Sequence, residues 1–428
     1  MEKYFNSNEL REEFPSLTRT QDGRQVVYFD GPAGTQVPQR VIDAITRHYL
    51  EINTHLDGAF IPSERLNQKV AEARAIYADF FNAPSSGESA FDEIAFSLNM
   101  TSHTYNISRS IGKTLGPGDE LIVTVLDHES NVSPWVALEE RGVKVHCVDI
   151  NPEDCTLDMA DFESKLSEHT KVVAVGVAAN AVGTINDIKT ITAMAHSVGA
   201  LMYADAVHIA PHFPIDVRDL GVDFLVCSIY KLFGPHGVGV LYGKKDVLEG
   251  LPAYKVRPSN YQKFESGTPN FEGLSGAIAC IEYLADVGKK FGAPYVDRFP
   301  GLTGRRLDLK TAMAAIREYE MPLFKRMVDG MKQIPGVKIW GIADSARFDR
   351  RAPTMAFTMS GFSPRQIAKH LGENGIYVWH GDFFAQALIE RLGLFETGGV
   401  VRVGLTHYNT ADEVDRLIEA IHALVKKG

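Results

Sequence analysis

The sequence predicts an α/β protein: a large domain with a mostly parallel, seven-stranded sheet under helices, and a smaller α+β domain at its C-terminal end. Three observations carry this expectation. At 428 residues and 47.2 kDa the chain can bury a large core, and its length suits one big domain with a smaller companion rather than a string of modules. Between about residues 70 and 245, apolar, β-branched runs alternate with amphipathic helical stretches, the pattern of a parallel sheet covered by helices. After residue 295 this alternation gives way to a charged helical segment, short strands and a closing helix. The expected division is 21–294 for the large domain and 295–428, with a contribution from 1–20, for the small one.

The seven runs are Glu93–Ser97, Leu121–Leu126, Val143–Val148, Val172–Ala178, Leu201–Ala204, Phe224–Cys227 and Val238–Tyr242. Between the first two, Thr101-Ser102-His103 opens a helical stretch that reaches about Leu115. The smaller domain should contribute strands around Val337–Ile339, Thr354–Thr358, Ile376–Trp379 and Val400–Val403, and a last helix from Ala411 to Lys426. No internal repeat, low-complexity tract or long linker interrupts the chain, so the boundaries rest on these changes of pattern.

Composition narrows the functional classes. The longest apolar runs, such as Val172–Ala179, are far shorter than the roughly 20 residues of a membrane helix. The opening Met-Glu-Lys-Tyr-Phe-Asn resembles neither a secretory leader nor an Arg-rich presequence, so a cytoplasmic location is expected. Four scattered cysteines, Cys147, Cys155, Cys227 and Cys280, form no CxxC pair and read as reduced thiols. With 54 acidic against 44 basic side chains the net charge is −10, which disfavours nucleic acid and anionic membranes as partners.

In open α/β sheets the ligand lies beyond the carboxyl ends of the strands. The run ending at Leu126 delivers Asp127-His128, and the run ending at Ala178 delivers Asn180. The run ending at Ala204 delivers Asp205 and His208, and the run ending at Cys227 delivers Ser228 and Lys231. Four strands could therefore aim polar groups at one place. Together these residues match the needs of pyridoxal 5′-phosphate. Lys231 supplies an amine for a Schiff base, with a pKa that desolvation can lower. Asp205 supplies the carboxylate that keeps the ring nitrogen protonated. Asn180 and His208 could donate to the phenolic oxygen, and His128 offers a flat group to stack on the ring. The phosphate needs hydroxyls at a helix N-terminus, which Thr101 and Ser102 offer, with Ser228 and Tyr230 beside the lysine.

Taken singly, each residue has an ordinary role: a lone lysine is a surface charge, and an aspartate after a strand is a helix cap. Ser228-Ile-Tyr-Lys231 fits an SxxK nucleophile, yet no Ser-Asp-Asn or Lys-Thr-Gly accompanies it. Asp205, His208 and His212 suggest a metal site only weakly, because Pro211 interrupts helical spacing, so no metal is expected. Gly112-Lys113-Thr114 fails as a phosphate-binding loop because Ile107 stands where its first glycine should be.

The order of these residues carries a resemblance as well. Asp205-Ala-Val-His208, followed by Asp223-Phe-Leu-Val-Cys-Ser228-Ile-Tyr-Lys231-Leu-Phe-Gly-Pro-His-Gly-Val-Gly239, is similar to the cofactor-lysine signature of class V aminotransferases. Further motifs span nearly the whole chain: Tyr28-Phe-Asp-Gly-Pro-Ala-Gly34, Asp127-His128-Glu-Ser-Asn131, Asn180-Ala-Val-Gly-Thr184, Phe264-Glu-Ser-Gly-Thr-Pro-Asn270 and Val401-Arg-Val-Gly-Leu-Thr-His-Tyr-Asn409. Within the family the chain resembles the SufS-type (NifS-like) cysteine desulfurases. The resemblance implies fold type I of the pyridoxal phosphate enzymes and a homodimer with shared active sites. It implies Lys231 as the Schiff-base lysine, Asp205 at the ring nitrogen, His128 stacked on the ring, and Asn180 and His208 at the phenolic oxygen. Thr101, Ser102 and Ser228 would hold the phosphate, Thr268 would reach the phosphate of the neighbouring subunit, and Arg402 would bind the substrate carboxylate.

One departure matters more than these agreements. In the desulfurases a loop before that arginine carries a cysteine that attacks the substrate sulfur. Here the loop reads Val378-Trp379-His380-Gly381-Asp382-Phe383-Phe384-Ala385-Gln386, with Phe384 at the cysteine's place and Trp379 at that of a common arginine. A phenyl ring cannot carry sulfur. The expectation is therefore a C–S lyase: Lys231 removes the Cα proton, a thiolate or sulfenate leaves from Cβ, and aminoacrylate hydrolyses to pyruvate and ammonia. His380, Asp382, Trp379 and Phe383 would shape a pocket for the group on sulfur. An aminotransferase, an amino-acid epimerase and a non-catalytic assembly partner stay open as alternatives. The stretch from Gly292 to about Tyr319 looks longer than the family requires.

Overall fold

Each of the seven apolar runs becomes a strand of one sheet, and the computed structural model describes them within residues 5–256 and 262–426, apart from the side chain at position 88. The strands are β1 (Ile94–Ser97), β2 (Glu120–Thr124), β3 (Lys144–Val148), β4 (Thr170–Gly176), β5 (Leu201–Asp205), β6 (Phe224–Ser228) and β7 (Gly239–Gly243). Their spatial order is β1-β7-β6-β5-β4-β2-β3. From β6 to β3 all neighbours are parallel, while β7 runs antiparallel to both β6 and β1. The central strands are apolar on both faces because helices cover both; every residue of β6 and β7 is buried.

The strand ends depart from expectation where the site begins. β2 stops at Thr124 rather than Leu126, and β4 at Gly176 rather than Ala178. Asp127 accounts for this: its carboxylate accepts from Thr124 Oγ1 at 2.7 Å and from the Gly176 amide at 2.6 Å, a proton the ladder would otherwise use. β5 and β6, in contrast, each run one residue further and take in Asp205 and Ser228.

The helices that matter for the site are α1 (Gln39–Glu51), α2 (Ile61–Phe81), α3 (Met100–Gly112), α4 (Ile188–Ser197), α5 (Phe271–Phe291), α6 (Gly304–Lys332), α7 (Pro364–Glu373) and α8 (Ala411–Val425). α3 starts one residue earlier than expected, because Asn99 caps it by accepting from the Ser102 amide at 2.9 Å. The Gly292–Tyr319 stretch is the turn and first half of a helical hairpin. A Cβ on Gly288 of α5 would stand 1.9 Å from the Asp308 carbonyl oxygen of α6, so the two backbones touch. Leu309, Ala312, Met313 and Ile316 of α6 join the larger core, and Phe324, Met327, Val328 and Met331 join the smaller.

The smaller core lies against a four-stranded antiparallel sheet of β8 (Val337–Trp340), β9 (Thr354–Met359), β10 (Trp379–Gly381) and β11 (Val400–Gly404), in the order β8-β9-β11-β10. The expected strand Ile376–Trp379 is two strands. Ile376–Tyr377 pairs in parallel with Val27–Tyr28, and Trp379–Gly381 turns to pair with β11. Val27 and Phe29 thereby enter the smaller core, whereas Phe5, Leu10, Phe14 and Leu17 pack in the larger. No helix among the described residues is long and apolar enough to cross a membrane.

Candidate active site

A cleft at the carboxyl ends of β2, β4, β5 and β6 is lined by Met100, Thr101, Asp127, His128, Ser130, Ala178, Asn180, Asp205, Val207, His208, Ser228, Tyr230 and Lys231. Residues far apart in sequence converge there because parallel strands all end on the same side. Lys231 stands in the 3₁₀ turn Ile229–Lys231 that leaves β6, and Asp205 is the last residue of β5. The Asp205 Oδ1 atom accepts from the Val207 amide at 2.8 Å, which fixes the carboxylate at the strand end. Arg402, on β11, reaches in from the smaller sheet and donates from Nη1 to the Asn180 carbonyl at 2.9 Å.

Burial sets the electrostatics. It pushes the Lys231 amine down to about 8, with Arg402 pushing the same way and Asp205 opposing. Burial raises the Asp205 carboxyl to about 6 against the pull of the Val207 amide and of Lys231. His128 falls to about 3 through burial and the nearby cations Lys231 and Arg402, so its ring is neutral at pH 7. Its Nδ1 accepts from the Ser130 amide at 3.0 Å, which places the ring proton on Nε2. His208 is likewise held well below its usual value by burial, then His212, Arg402 and Lys231. Burial lowers Arg402 to about 9, opposed by Asp30.

The structure brings Lys231, Asp205, His128, Asn180, His208, Ser228, Tyr230 and Thr101 to this one cleft. Their partners differ from expectation in several places. The Asn180 Nδ2 group donates to the Phe383 carbonyl at 2.8 Å, leaving Oδ1 as its buried, unpartnered atom. Ser102 turns its hydroxyl back to Asn99 Oδ1 at 3.1 Å and does not line the cleft. Thr101 shares a 2.7 Å hydrogen bond with Ser130 Oγ, and Ser228 Oγ accepts from the Met100 amide at 2.9 Å, which ties β6 to the start of α3. Tyr230 stacks on His236 with centroids 4.5 Å apart. Thr268 lies outside the cleft, exposed, with its hydroxyl 3.3 Å from His55 Nε2. His380 is exposed, and Asp382 Oδ1 accepts from the Phe384 amide at 2.9 Å, so that carboxylate shapes its own turn. His212 Nδ1 lies 2.8 Å from Glu320 Oε2.

Sequence reasoning missed Asp127 as the pin between β2 and β4, and Ser130 as the partner of Thr101. It also missed the two phenylalanine carbonyls that clasp the cleft: Phe383 to Asn180, and Phe384 accepting from the Glu129 amide at 2.7 Å. Backbone acceptors carry no sequence signal. Another cleft, around Leu56, Asp57, Asn67, Arg74, Phe91 and Glu265, is built on a buried bidentate Arg74–Glu265 pair at 2.7 and 3.0 Å.

The family model for class V aminotransferases matches residues 27–298 and 301–417. The chain belongs to this family. Among its relatives within class V, a cysteine desulfurase of Pectobacterium carotovorum is 30% identical over 437 residues, which cover 97% of this chain and 98% of that protein. A probable cysteine desulfurase of Mycolicibacterium paratuberculosis is 31% identical over 445 residues, 99% of this chain. The chain spans 59% of that protein's length and 66% of a Mycobacterium leprae relative's. Of solved class V structures, a cysteine desulfurase from Thermococcus onnurineus superposes with a TM-score of 0.83 at 26% identity over 98% of both chains. One from Escherichia coli gives 0.80 at 27% over 99% of both.

Class V enzymes work with pyridoxal 5′-phosphate, and this chain belongs to that family. Its cleft fits that cofactor. His208 Nε2 is buried without a partner, and such an atom costs about 1–3 kcal/mol unless something meets it, whereas Asn180 presents its acceptor Oδ1 in place of the expected donor. Asp205 and Lys231, both buried, wait on the same cleft with their charges in balance.

Proposed function

We propose that this enzyme is a C–S lyase acting on cysteine or a cysteine derivative, converting R–S–CH₂–CH(NH₃⁺)–CO₂⁻ and water into R–SH, pyruvate and ammonium. The observation that supports elimination over sulfur transfer is the state of the four thiols. Cys155, Cys227 and Cys280 are buried, which pushes Cys155 up to about 11 and Cys227 and Cys280 well above the ordinary thiol range, while Cys147 is exposed on β3. None lines the cleft, and the loop over it offers Phe383 and Phe384 instead. A protonated, buried thiol neither attacks nor carries sulfur.

When bound, the cofactor supplies an electron sink that acidifies the α-proton of an attached amino acid. The chain's own residues do the rest. Arg402 binds the α-carboxylate with its planar fork. Lys231 would hold the cofactor and then take the proton from Cα, a task for which a pKa lowered to about 8 raises the share of free base near neutrality. Asp205 would keep a proton on the ring nitrogen, and the neutral His128 would stack on the ring without adding charge. Thr101, Ser228 and Tyr230 flank the start of α3, where the phosphate is held. Thr268 is exposed and outside its own cleft, and in a homodimer it would reach the phosphate of the second subunit. Four unpaired cysteines suit the reducing cytoplasm.

The test is stoichiometry. With an S-substituted L-cysteine, the purified holoenzyme should release thiol, pyruvate and ammonium in equal amounts over many turnovers without added keto acid. Turnover that stops after one equivalent until a keto acid is supplied, or racemised substrate as the sole product, contradicts the reading.

A further inference from the structure

The loop that crosses the cleft is held in a backbone shape its sequence does not favour. Phe383 and Phe384 have φ of 59° and 57°, the left-handed region that bulky side chains avoid. Three hydrogen bonds hold the loop there: Asn180 Nδ2 to the Phe383 carbonyl, the Glu129 amide to the Phe384 carbonyl, and the Phe384 amide to Asp382 Oδ1. Strain of this kind persists only where the surroundings impose it, and here it sets one aromatic ring on a functional group. The Arg402 guanidinium carbon stands 4.1 Å from the centroid of the Phe383 ring.

Arg402 is 5% exposed, and among the described residues no carboxylate forms an ion pair with it. A buried cation must be met by something. One hydrogen bond to the Asn180 carbonyl meets part of it, the nearby Asp30 acts on it from beyond ion-pair distance, and the negative face of Phe383 meets more. We propose that Phe383 is an internal competitor for Arg402 and thereby a specificity-determining residue: its ring takes the place a ligand carboxylate needs, and an α-amino acid binds fully only when the ring gives way. The inference rests on Arg402 being the carboxylate site. It explains how a binding site for an anion tolerates a buried, unpaired guanidinium between turnovers. A small amino acid must displace the ring with its carboxylate alone, so Phe383 raises the concentration at which such ligands bind.

The experiment titrates the holoenzyme with L-alanine, which has the carboxylate but no leaving group, and with L-alaninamide, which lacks the charge, following the cofactor's absorption. Phe383→Ala should tighten L-alanine about three- to tenfold and leave L-alaninamide unchanged. Phe383→Leu, which keeps apolar bulk and removes the ring's quadrupole, should tighten L-alanine as well, and it decides the question if the alanine variant does not fold. Unchanged or weaker L-alanine binding in both variants overturns the proposal, as does equal tightening of the amide, which would mean a simple steric wall. Arg402→Lys separates the two assignments: it should weaken L-alanine and not L-alaninamide, and no change there overturns the carboxylate assignment itself.

Discussion

In the proposed reaction the chemistry depends on Lys231, and its neighbours set its basicity. Burial and Arg402 bring the amine down to about 8, which raises its free-base share near neutrality. Lys231→Ala should remove the absorption of lysine-bound cofactor and lower turnover by about 10³-fold or more, and turnover near the wild-type rate would contradict the assignment. The buried carboxylates carry a linked prediction. Burial raises Asp30 to about 6, Asp127 to about 7 and Asp205 to about 6. Each is still protonated in the fold where the unfolded chain has ionised, so its own contribution to apoprotein stability falls as pH rises from about 4 to 7, while the buried histidines held low, His128 and His208 among them, contribute in the opposite sense over the same range. Lys231 works in the other window: the unfolded amine holds its proton to higher pH than the folded one, so stability should recover from about pH 8 towards 10. Asp205→Asn should stabilise the apoprotein at pH 7 by about 2 kcal/mol and leave it unchanged at pH 4. An equal gain at both, by urea denaturation, would contradict the linkage. Lys231, Asp205, His128 and His208 were legible in sequence because each follows an apolar run. The Asn180–Phe383 contact was not, since its acceptor is a main-chain carbonyl.

Elements place these residues, and their ends do most of the placing. Asp127 ends β2 and β4 early, which lets the following residues turn into the cleft; the apolar character of Val125, Leu126, Val177 and Ala178 concealed this, because burial continues after the ladder stops. The helical hairpin of α5 and α6 carries the clearest prediction at this scale. Gly288→Ala would put a methyl group 1.9 Å from the Asp308 carbonyl oxygen, and backbone cannot yield as a side chain does. Stability should fall by about 2–4 kcal/mol, and a denaturation midpoint equal to wild type would show that the helices separate readily. The same hairpin gives the Gly292–Tyr319 stretch its role, which composition alone did not suggest: α6 runs through both cores and couples them.

At the scale of the whole molecule, Lys231 belongs to the larger sheet and Arg402 to the smaller, so the site exists only where the two meet. The α/β class and the seven strands were legible because continuous apolar runs alternating with helical stretches have few other solutions. The splitting of Ile376–Trp379 between two sheets was not, because a strand's partner is a long-range choice that local pattern does not encode. A dimer with shared sites makes a further prediction. Inactive Lys231→Ala and Thr268→Asp, mixed and reassembled, should regain about a quarter of wild-type activity, since half the dimers are hybrid and each hybrid holds one intact site. No regain would place Thr268 outside the partner's site. The most direct test of the central claim is the fate of the three-carbon skeleton when the holoenzyme consumes L-cysteine. The account predicts pyruvate and sulfide in equal amounts with no alanine; alanine as the product, with sulfur retained on the protein, would contradict it.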